Sequence, residues 1–482
     1  MTALQRGILA IGSYLPRNRL PRTVAKAANS WFAPSLAARD GERRSFANWD
    51  EDALTMAVEA GRVCIGNADA STVTRIDVAS TSMPFADRSN AGVVREALDV
   101  PANAAVADTG GSLRAASSAL ARMLGEQAEP GLLIASDCVD AKPASTQEMQ
   151  FGHGAAAVLV GEGEPIAVLR GSASLHQDFV DHYRASGERF EYALEPRWAR
   201  DAGYRQQVVD TVTAALDDAG VEAADIATLA VSAPGGLGRA VAKNLGKTLS
   251  EAGTASLLDS HVGFCGAAQP LLALCEALES ASAGDRIALV AIGQGVDVLV
   301  FEVMAPVASS SLRDAIATEQ TEDNYTRYLA MRGLLPLESG IRAERDNRTA
   351  LSTFWRKHEA ITAFKGGQCK QCGTLQFPLT RVCVSCGSEG TQVPRRMADL
   401  PGKVRSFTED WLAYTPRPPL VFGNVGFENG ANVLMEFTDV EPGDLEVGLS
   451  VRLTFRIKDI DERRAFRRYF WKPTPDREAA NA

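Results

Sequence analysis

Histidine is scarce in this chain, with five in 482 residues. Proton transfer by imidazole near neutral pH is thereby restricted to His153, His176, His182, His261 and His358. Positive charge is in deficit too: 50 Lys and Arg against 60 Asp and Glu give a net charge of −10. That argues against nucleic acid as the main ligand, since phosphate binding requires net positive faces. No segment reaches about 18 uninterrupted apolar residues, the length of a membrane-spanning helix. The opening MTALQRGILAIGSYLP carries only a short apolar run and no clear cleavage site for a signal peptide. A cytoplasmic protein with reduced thiols is expected, with no membrane partner. The glycine-rich pieces lack both the lysine of a phosphate loop and the full dinucleotide spacing. What remains is an ordinary globular composition, 45% hydrophobic and 23% charged. The length allows about three domains.

The eight cysteines fall into two sets. Cys64, Cys138, Cys265 and Cys275 are scattered, whereas Cys369, Cys372, Cys383 and Cys386 form C-x2-C-x10-C-x2-C. Two tight knuckles presenting four thiolates fit tetrahedral zinc, and in a reducing compartment a disulfide reading is weak. Gly373 and Gly387 follow the pairs, where knuckle turns need room. Loss of such a zinc would unfold a small lobe. The charge divides near the same place. Residues 341–482 carry 22 basic and 18 acidic side chains, and the remainder 28 and 42. Beyond the cysteines, five short runs (GKVRSFTEDWL, PLVFGNVGFEN, ANVLMEFTDV, LSVRLTFRIKDI and AFRRYFWKP) alternate like the strands of a small β-barrel. The aromatics and arginines of residues 463–471 are expected to be barrel core plus solvated face.

The first 340 residues read as a duplication. Helix, polar turn and short apolar strand occur twice, placing Ile76 and Ile226 in matching positions. VADTGGSLRAASSALARML (106–124) and DSHVGFCGAAQPLLALCEAL (259–278) are each a short strand, a Gly turn and a long apolar helix, with Gly111 matching Gly263. PGLLIASD and GDRIALVAI are near-continuously apolar, as strands buried on both faces are. GHGAAAVLVG and GQGVDVLVFE both read G-x-G followed by a β run. Four matched elements predict two similar α/β halves about a pseudo-twofold axis.

This duplicated strand–Gly turn–helix pattern resembles the thiolase superfamily. GILAIGSYLPRNRLPR, PFADRSNAGVVREAL, GDRIALVAIGQGVD and YTRYLAMRG resemble its hydroxymethylglutaryl-CoA synthase branch, over about residues 5–340. The resemblance implies a duplicated αβαβα sandwich, usually dimeric, with a Gly turn at the active site. Zinc ribbon plus small barrel resembles the OB-type module associated with acyl-CoA enzymes. The expected organisation is an N-terminal thiolase-like half at 1–165, a linker and second half at 166–340, a helix and zinc ribbon at 341–395, and an OB-type β-barrel at 396–482.

The family's chemistry rests on Cys, His and Glu, and each matching position differs here. The Gly turn that should hold the nucleophilic cysteine reads DTGGSLR, placing Ser112 or Leu113 there. The histidine loop reads VSAPGG and the glutamate loop ASTSMP. The second Gly turn, often holding Asn, reads GFCG. An acyl-enzyme on cysteine is therefore not expected. Retro-aldol or aldol chemistry on a β-hydroxyacyl-CoA needs only a base and an oxyanion site, and a thiolase-like subgroup paired with this OB module performs it on steroid side chains. The alternatives are acyl transfer through a substitute nucleophile, Ser112 or Cys265, and non-catalytic acyl-CoA binding. The candidates for catalysis are Ser112, His261, Cys265, His182 and Tyr183, and Ser232 is expected to converge on one pocket with Ser112, His261 and Cys265. Taken one at a time, Ser112 also reads as a helix N-cap and Cys265 as core packing. Asp87 and Arg88 are expected to cap a helix and pair locally, the alternative being to line a channel or a dimer contact. The helix after Gly235–Gly238 offers Arg239 and Lys247 to the phosphates of coenzyme A.

Overall fold

The computed structural model describes residues 5–66, 69–125, 130–246, 249, 252–254, 257–307, 310–341, 348 and 350–477. The chain forms two compact units. The first is made of residues 1–48, 52–95 and 100–332, and the second of 49–51, 96–99 and 333–482.

In the first unit, five strands of the first half are β1 (Gln5–Tyr14), β2 (Arg75–Ala79), β3 (Ala105–Thr109), β4 (Gly131–Asp137) and β5 (Gly154–Gly163). Their counterparts in the second half are β6 (Ala167–His176), β7 (Thr228–Ser232), β8 (Gly253–Thr254), β9 (Arg286–Ile292) and β10 (Gly295–Val303). The order along the sheet is β3-β2-β4-β5-β1-β6-β10-β9-β7-β8, a palindrome in the two halves. Strands β2, β3 and β4 run parallel, while β5 is antiparallel to both β4 and β1. Within this sheet β1 and β6 pair at Ile8 and Ala167. This is the duplicated α/β unit that the repeat predicts, in the thiolase-like arrangement that the resemblance implies.

The helices repeat in the same way: α1 (Ala53–Ile65), α2 (Asn90–Ala97) and α3 (Ala115–Gly125), then α4 (Arg205–Ala219), α5 (Gly235–Leu245) and α6 (Gln269–Leu278). All ten residues of α6 are buried, which is why its sequence is apolar around its whole circumference. Helices α3 and α6 share one core cluster with β1, β4, β5 and β9. Close approach of helix to sheet uses glycine at symmetric places. A Cβ on Gly12 of β1 would lie 2.4 Å from the Cys64 nitrogen of α1, and one on Gly171 of β6 would lie 2.3 Å from the Ala219 nitrogen of α4. Cys64 and Cys275 are buried packing residues. Among the described residues, no helix is long and apolar enough to cross a membrane.

The second unit contains two small antiparallel sheets. One joins β11 (Lys365–Cys369) to β12 (Leu375–Gln376) and β13 (Gln392–Arg396). The other has five strands, β14 (Gly402–Asp410), β15 (Leu420–Phe427), β16 (Asn432–Glu436), β17 (Ser450–Asp461) and β18 (Phe466–Pro475), in the order β16-β15-β14-β17-β18. These are the five runs read from the sequence. The sheet's edges approach each other where the Thr438 N–H, just past β16, donates to the Pro473 carbonyl of β18 at 3.0 Å. Trp471 is fully buried, and its indole N–H donates to the Thr362 carbonyl at 2.8 Å. Part of the basic-aromatic stretch at 463–471 is thus core.

Candidate active site

A cavity of about 710 Å³ opens at the C-terminal ends of β2 and β3 in the first unit. Crevices at strand ends are where α/β sheets bind ligands. Its walls come from the loop after β2 (Ser80, Thr81), the first Gly turn (Gly110–Leu113), the second Gly turn (Phe264, Gly266) and the segment between the halves (His182–Arg184). A second cavity of about 330 Å³ shares Leu113, Phe151, Phe264, His182 and Glu191 with it, and continues to Pro234 and Leu237 at the start of α5.

Asp137, at the end of β4, organises the floor. Its buried carboxylate accepts hydrogen bonds from Ser80 Oγ (2.8 Å), Thr81 N (2.8 Å), Thr81 Oγ1 (2.9 Å) and Ser82 Oγ (2.7 Å) of the first half. It also accepts from Ala267 N of the second Gly turn at 2.7 Å. One side chain thus ties the two halves together beside the cavity. Gly266 has φ +56°, and a Cβ there would sit 2.3 Å from Asp137 Oδ2, so the turn has no room for a larger residue.

The first Gly turn is held from below by Arg114. Its guanidinium donates to Gly293 O (2.8 Å), Asp297 Oδ1 (2.7 Å), His176 Nδ1 (3.1 Å) and Gln294 O (3.2 Å). Ser117 and Ser118 complete the Asp297 carboxylate, each at 2.7 Å. The Ser112 hydroxyl accepts from Arg114 N (3.1 Å) and donates to Gly293 O (3.3 Å). It behaves as a capping group at the start of α3, and its proton is engaged by a carbonyl rather than by a base. Gly111 has φ +84° with open space where a Cβ would be. Among the described residues, the N–H groups of Gly111, Ser112 and Leu113 meet no acceptor. Unpaired N–H groups at a helix entrance can stabilise an oxyanion.

His182 faces both cavities. Its Nδ1 lies 2.8 Å from Asp181 Oδ1, and its backbone N–H donates to the same oxygen at 2.9 Å. Asp181 is fixed in turn by the Tyr204 hydroxyl, which donates to Oδ2 at 2.9 Å while accepting from Gln294 N at 2.9 Å. Burial together with the Asp181 charge pushes the Tyr204 pKa up, so that hydroxyl remains a donor. Burial opposes charge on His182, but the hydrogen bond and charge of Asp181, aided by Glu191, outweigh it and raise the imidazole pKa. An imidazole oriented by a buried carboxylate at a cavity wall is equipped to move protons.

The cavity therefore brings together Ser112, His182 and Tyr183 among the residues singled out from sequence. Tyr183 lies in the wall beside Tyr192, with ring centroids 5.6 Å apart. Neither Cys265, Ser232 nor His261 lines either cavity. Cys265 is fully buried in the core cluster, and burial drives its thiol pKa far up. His261 sits beside Glu319 at 3.9 Å, its pKa lowered by burial and by Arg43 and Arg19. His153 is structural: Nδ1 accepts from Ala47 N at 2.9 Å and Nε2 lies 3.1 Å from Val139 O. Arg239 pairs with Asp259 at 3.8 Å on a half-exposed face, and Lys247 lies outside the described residues. Asp87 and Arg88 line the cavity rather than capping α2. That helix is capped from β3, where the Asp108 carboxylate accepts from Asn90 N (3.0 Å) and Ala91 N (2.9 Å). The contact spans 18 positions, so local sequence pointed to the nearer aspartate. Asp137, Asp181 and Glu191 carried no motif. The adjacency of Asp181 to His182 was the one available signal.

In the second unit the four clustered cysteine sulfurs lie within 4.8 Å of one another. Cys369 and Cys386 are 3.8 Å apart at sulfur, and Cys372 and Cys383 3.6 Å. Zinc–sulfur bonds of about 2.3 Å in a tetrahedron place sulfurs roughly 3.8 Å apart, so the set fits zinc. Each knuckle closes by a backbone bond, Gly373 N to Cys369 O (2.9 Å) and Gly387 N to Cys383 O (3.0 Å). Both glycines have positive φ, at 76° and 70°.

Comparison with known proteins follows the two-unit division. The family model for the ChsH2 rubredoxin-like zinc ribbon domain matches residues 362–392. A hydroxymethylglutaryl-CoA synthase of Pyrobaculum arsenaticum is 26% identical over 352 residues, covering 69% of this chain and 99% of the relative. That of Methanosarcina mazei is 26% identical over 355 residues, with the same coverage of 69% and 99%. Among solved structures, MvaS in complex with 3-hydroxy-3-methylglutaryl coenzyme A aligns with a TM-score of 0.58 at 17% identity, covering 69% of this chain and 92% of that one. A 3-oxoacyl-(acyl carrier protein) synthase III of Pseudomonas aeruginosa PAO1 aligns with a TM-score of 0.54 at 20% identity, covering 63% and 100%. The fold places the first unit in the thiolase-like class. More narrowly, the chain is similar to hydroxymethylglutaryl-CoA synthases and adds a ChsH2-type zinc ribbon.

Proposed function

We propose that the first unit makes or breaks the bond between the α and β carbons of a β-hydroxyacyl-CoA without forming an acyl-enzyme. The observation that carries this reading is the open N–H row of Gly111–Leu113 at the same cavity as the Asp181-held imidazole of His182. In the cleavage direction, a base takes the β-hydroxyl proton and the α–β bond breaks. Its electron pair moves to the α carbon, and the β carbon leaves as an aldehyde or ketone. The enolate oxygen of the thioester rests on the N–H row. The α carbon then takes a proton, releasing the shorter acyl-CoA. His182 is the imidazole placed to serve in this proton traffic. The capping bonds of Ser112 and the burial of Cys265 favour this route over a substitute nucleophile.

Coenzyme A enters the reading through the relatives, one of which was solved as an HMG-CoA synthase complexed with CoA. The second cavity's Pro234 and Leu237 stand at the start of α5. Arg239 follows on that helix and is proposed to meet the CoA phosphates. Four cysteines hold a structural zinc in this reading, and the five-stranded sheet serves as an OB-type barrel. The chain is proposed to be a cytoplasmic homodimer through edge strand β3, where residues 105–108 are exposed. Unpaired strand edges invite pairing with a second copy.

The test combines product analysis with intact-protein mass spectrometry. The purified chain is incubated with 3-hydroxy-3-methylglutaryl-CoA and a panel of longer β-hydroxyacyl-CoAs. Release of a carbonyl compound and a shorter acyl-CoA, with no mass added to the protein, is expected. A stable acyl adduct on Ser112 would instead establish transfer chemistry.

A further inference from the structure

His182 has a neighbour that sequence did not single out. His182–Tyr183 pairs antiparallel with Tyr192–Ala193, in the register Ala193 to His182 and Tyr192 to Tyr183. Paired residues in an antiparallel ladder share a face, and so do residues two apart. His182, Ala193 and Glu191 therefore project to one side of this small hairpin, and Tyr183 and Tyr192 to the other. The second cavity is lined by the His182, Glu191 and Ala193 face alone, and the larger one by His182 and Glu191 together with Tyr183. Arg184, in the wall of the larger cavity, is anchored to the Glu188 carbonyl at 3.2 Å and to the Thr81 carbonyl, so the hairpin is fastened to the loop after β2.

Glu191 is half-buried, yet among the described residues no side-chain hydrogen bond engages its carboxylate. The charged groups facing it are His182, Asp181 and Arg184. A half-buried carboxylate facing an imidazole at the junction of two cavities, with no hydrogen-bond partner among the described residues, has the arrangement of a working acid–base group. Burial raises its pKa, aided by Asp181 and opposed by His182 and Arg184, which makes it a stronger base than an ordinary glutamate. The raised pKa of His182 makes the imidazolium the acid of the pair.

We infer that Glu191 is a catalytic residue of this site, acting as the base to the acid His182. The inference rests on the carbon–carbon chemistry proposed above and assigns the direction of its two proton transfers. The Glu191 carboxylate takes the β-hydroxyl proton as the α–β bond breaks. Protonated His182 delivers its proton to the α carbon of the enolate. Passage of the proton from Glu191 back to His182 restores the starting state, so no other reactant is consumed.

The experiment uses the full chain and its Glu191→Gln and Glu191→Asp variants, with thermal unfolding to verify that each is folded. Carbonyl release from a β-hydroxyacyl-CoA reads the base at the β-hydroxyl, and exchange of the α protons of propionyl-CoA in D2O, followed by NMR, reads His182 at the α carbon without requiring cleavage. Glu191→Gln is expected to slow carbonyl release at least about 100-fold, a typical general-base contribution, with part of the rate restored in Glu191→Asp, while α-proton exchange persists. The His182 Cε1–H titration should move to lower pH in Glu191→Gln, because a negative neighbour has been removed. Carbonyl release in Glu191→Gln equal to that of the unsubstituted chain overturns the inference, and so does loss of α-proton exchange in that variant, which would place Glu191 at the α carbon. An unmoved His182 titration also overturns it. The two failures are distinguishable. Carbonyl release that persists in Glu191→Gln refutes this assignment and leaves the proposed reaction standing. Absence of carbonyl release by the unsubstituted chain refutes the reaction, and the base assignment with it.

Discussion

Replacing Asp297 tests whether the first Gly turn is held in place by one buried ion pair. Asp297 and Arg114 have side-chain exposures of only 1% and 7%, and Asp297 accepts three bonds of 2.7 Å, from Arg114, Ser117 and Ser118. Asp297→Asn keeps the shape and removes the charge. The Arg114 guanidinium would then stay buried against the Gly293 and Gln294 carbonyls and His176, with no counter-charge. Breaking a buried pair from one side costs about 3–5 kcal/mol. The asparagine should fall near the lower end, since its oxygen still accepts, and Asp297→Ala near the upper. A double replacement, Arg114→Met with Asp297→Leu, removes both charges and should recover part of the loss. Recovery stays incomplete because the Gly293 carbonyl loses its charged donor. The assay is urea unfolding, with hydrogen-exchange mass spectrometry reporting on peptides spanning 110–118 and 293–298, since a chain of two units need not unfold in one step. Asp297→Asn within about 1 kcal/mol of the unsubstituted chain, with exchange protection unchanged at the turn, would refute the reasoning.

Three further outcomes follow from the geometry. Gly266→Ala places a Cβ at φ +56° against Asp137 Oδ2 and should destabilise the first unit by at least about 1–2 kcal/mol, the cost of a left-handed residue alone, as measured by thermal unfolding. Elemental analysis should find one zinc per chain, and Cys372→Ser or a strong chelator should abolish it together with the protected amides of 365–396 in hydrogen exchange. Because the His182 pKa is raised in the folded chain, its contribution to stability is fully present below its unfolded value of about 6.5 and is lost as pH rises through the folded value. Unfolding curves of His182→Gln should therefore differ most from the unsubstituted chain at acidic pH and converge once the pH has passed the folded value.

The fold was legible because duplication writes the same pattern twice. The buried strands β4 and β9 are apolar along their length since both faces are covered, and each Gly turn precedes a helix of the common core, α6 being buried on all sides. The cysteine cluster was legible for a different reason: its members are local, and two short knuckles bring them together. The candidate site was only half legible. Ser112, His182 and Tyr183 converge on the cavity, whereas Cys265, equally close to a Gly turn in sequence, points into the core. A turn's position along the chain does not say which of its side chains faces inward. Asp137 and Asp108 act through bonds across 130 and 18 positions, and no periodicity announces such contacts. Glu191 needed the hairpin register, which two paired residues on each strand establish.

The central claim is carbon–carbon chemistry on an acyl-CoA with no acyl-enzyme. It is tested most directly by following a β-hydroxyacyl-CoA and the intact mass of the protein in the same reaction. The account predicts equal amounts of carbonyl product and shorter acyl-CoA, with the protein mass unchanged throughout turnover. Accumulation of an acylated chain, mapped to Ser112 or to any cysteine, would contradict it.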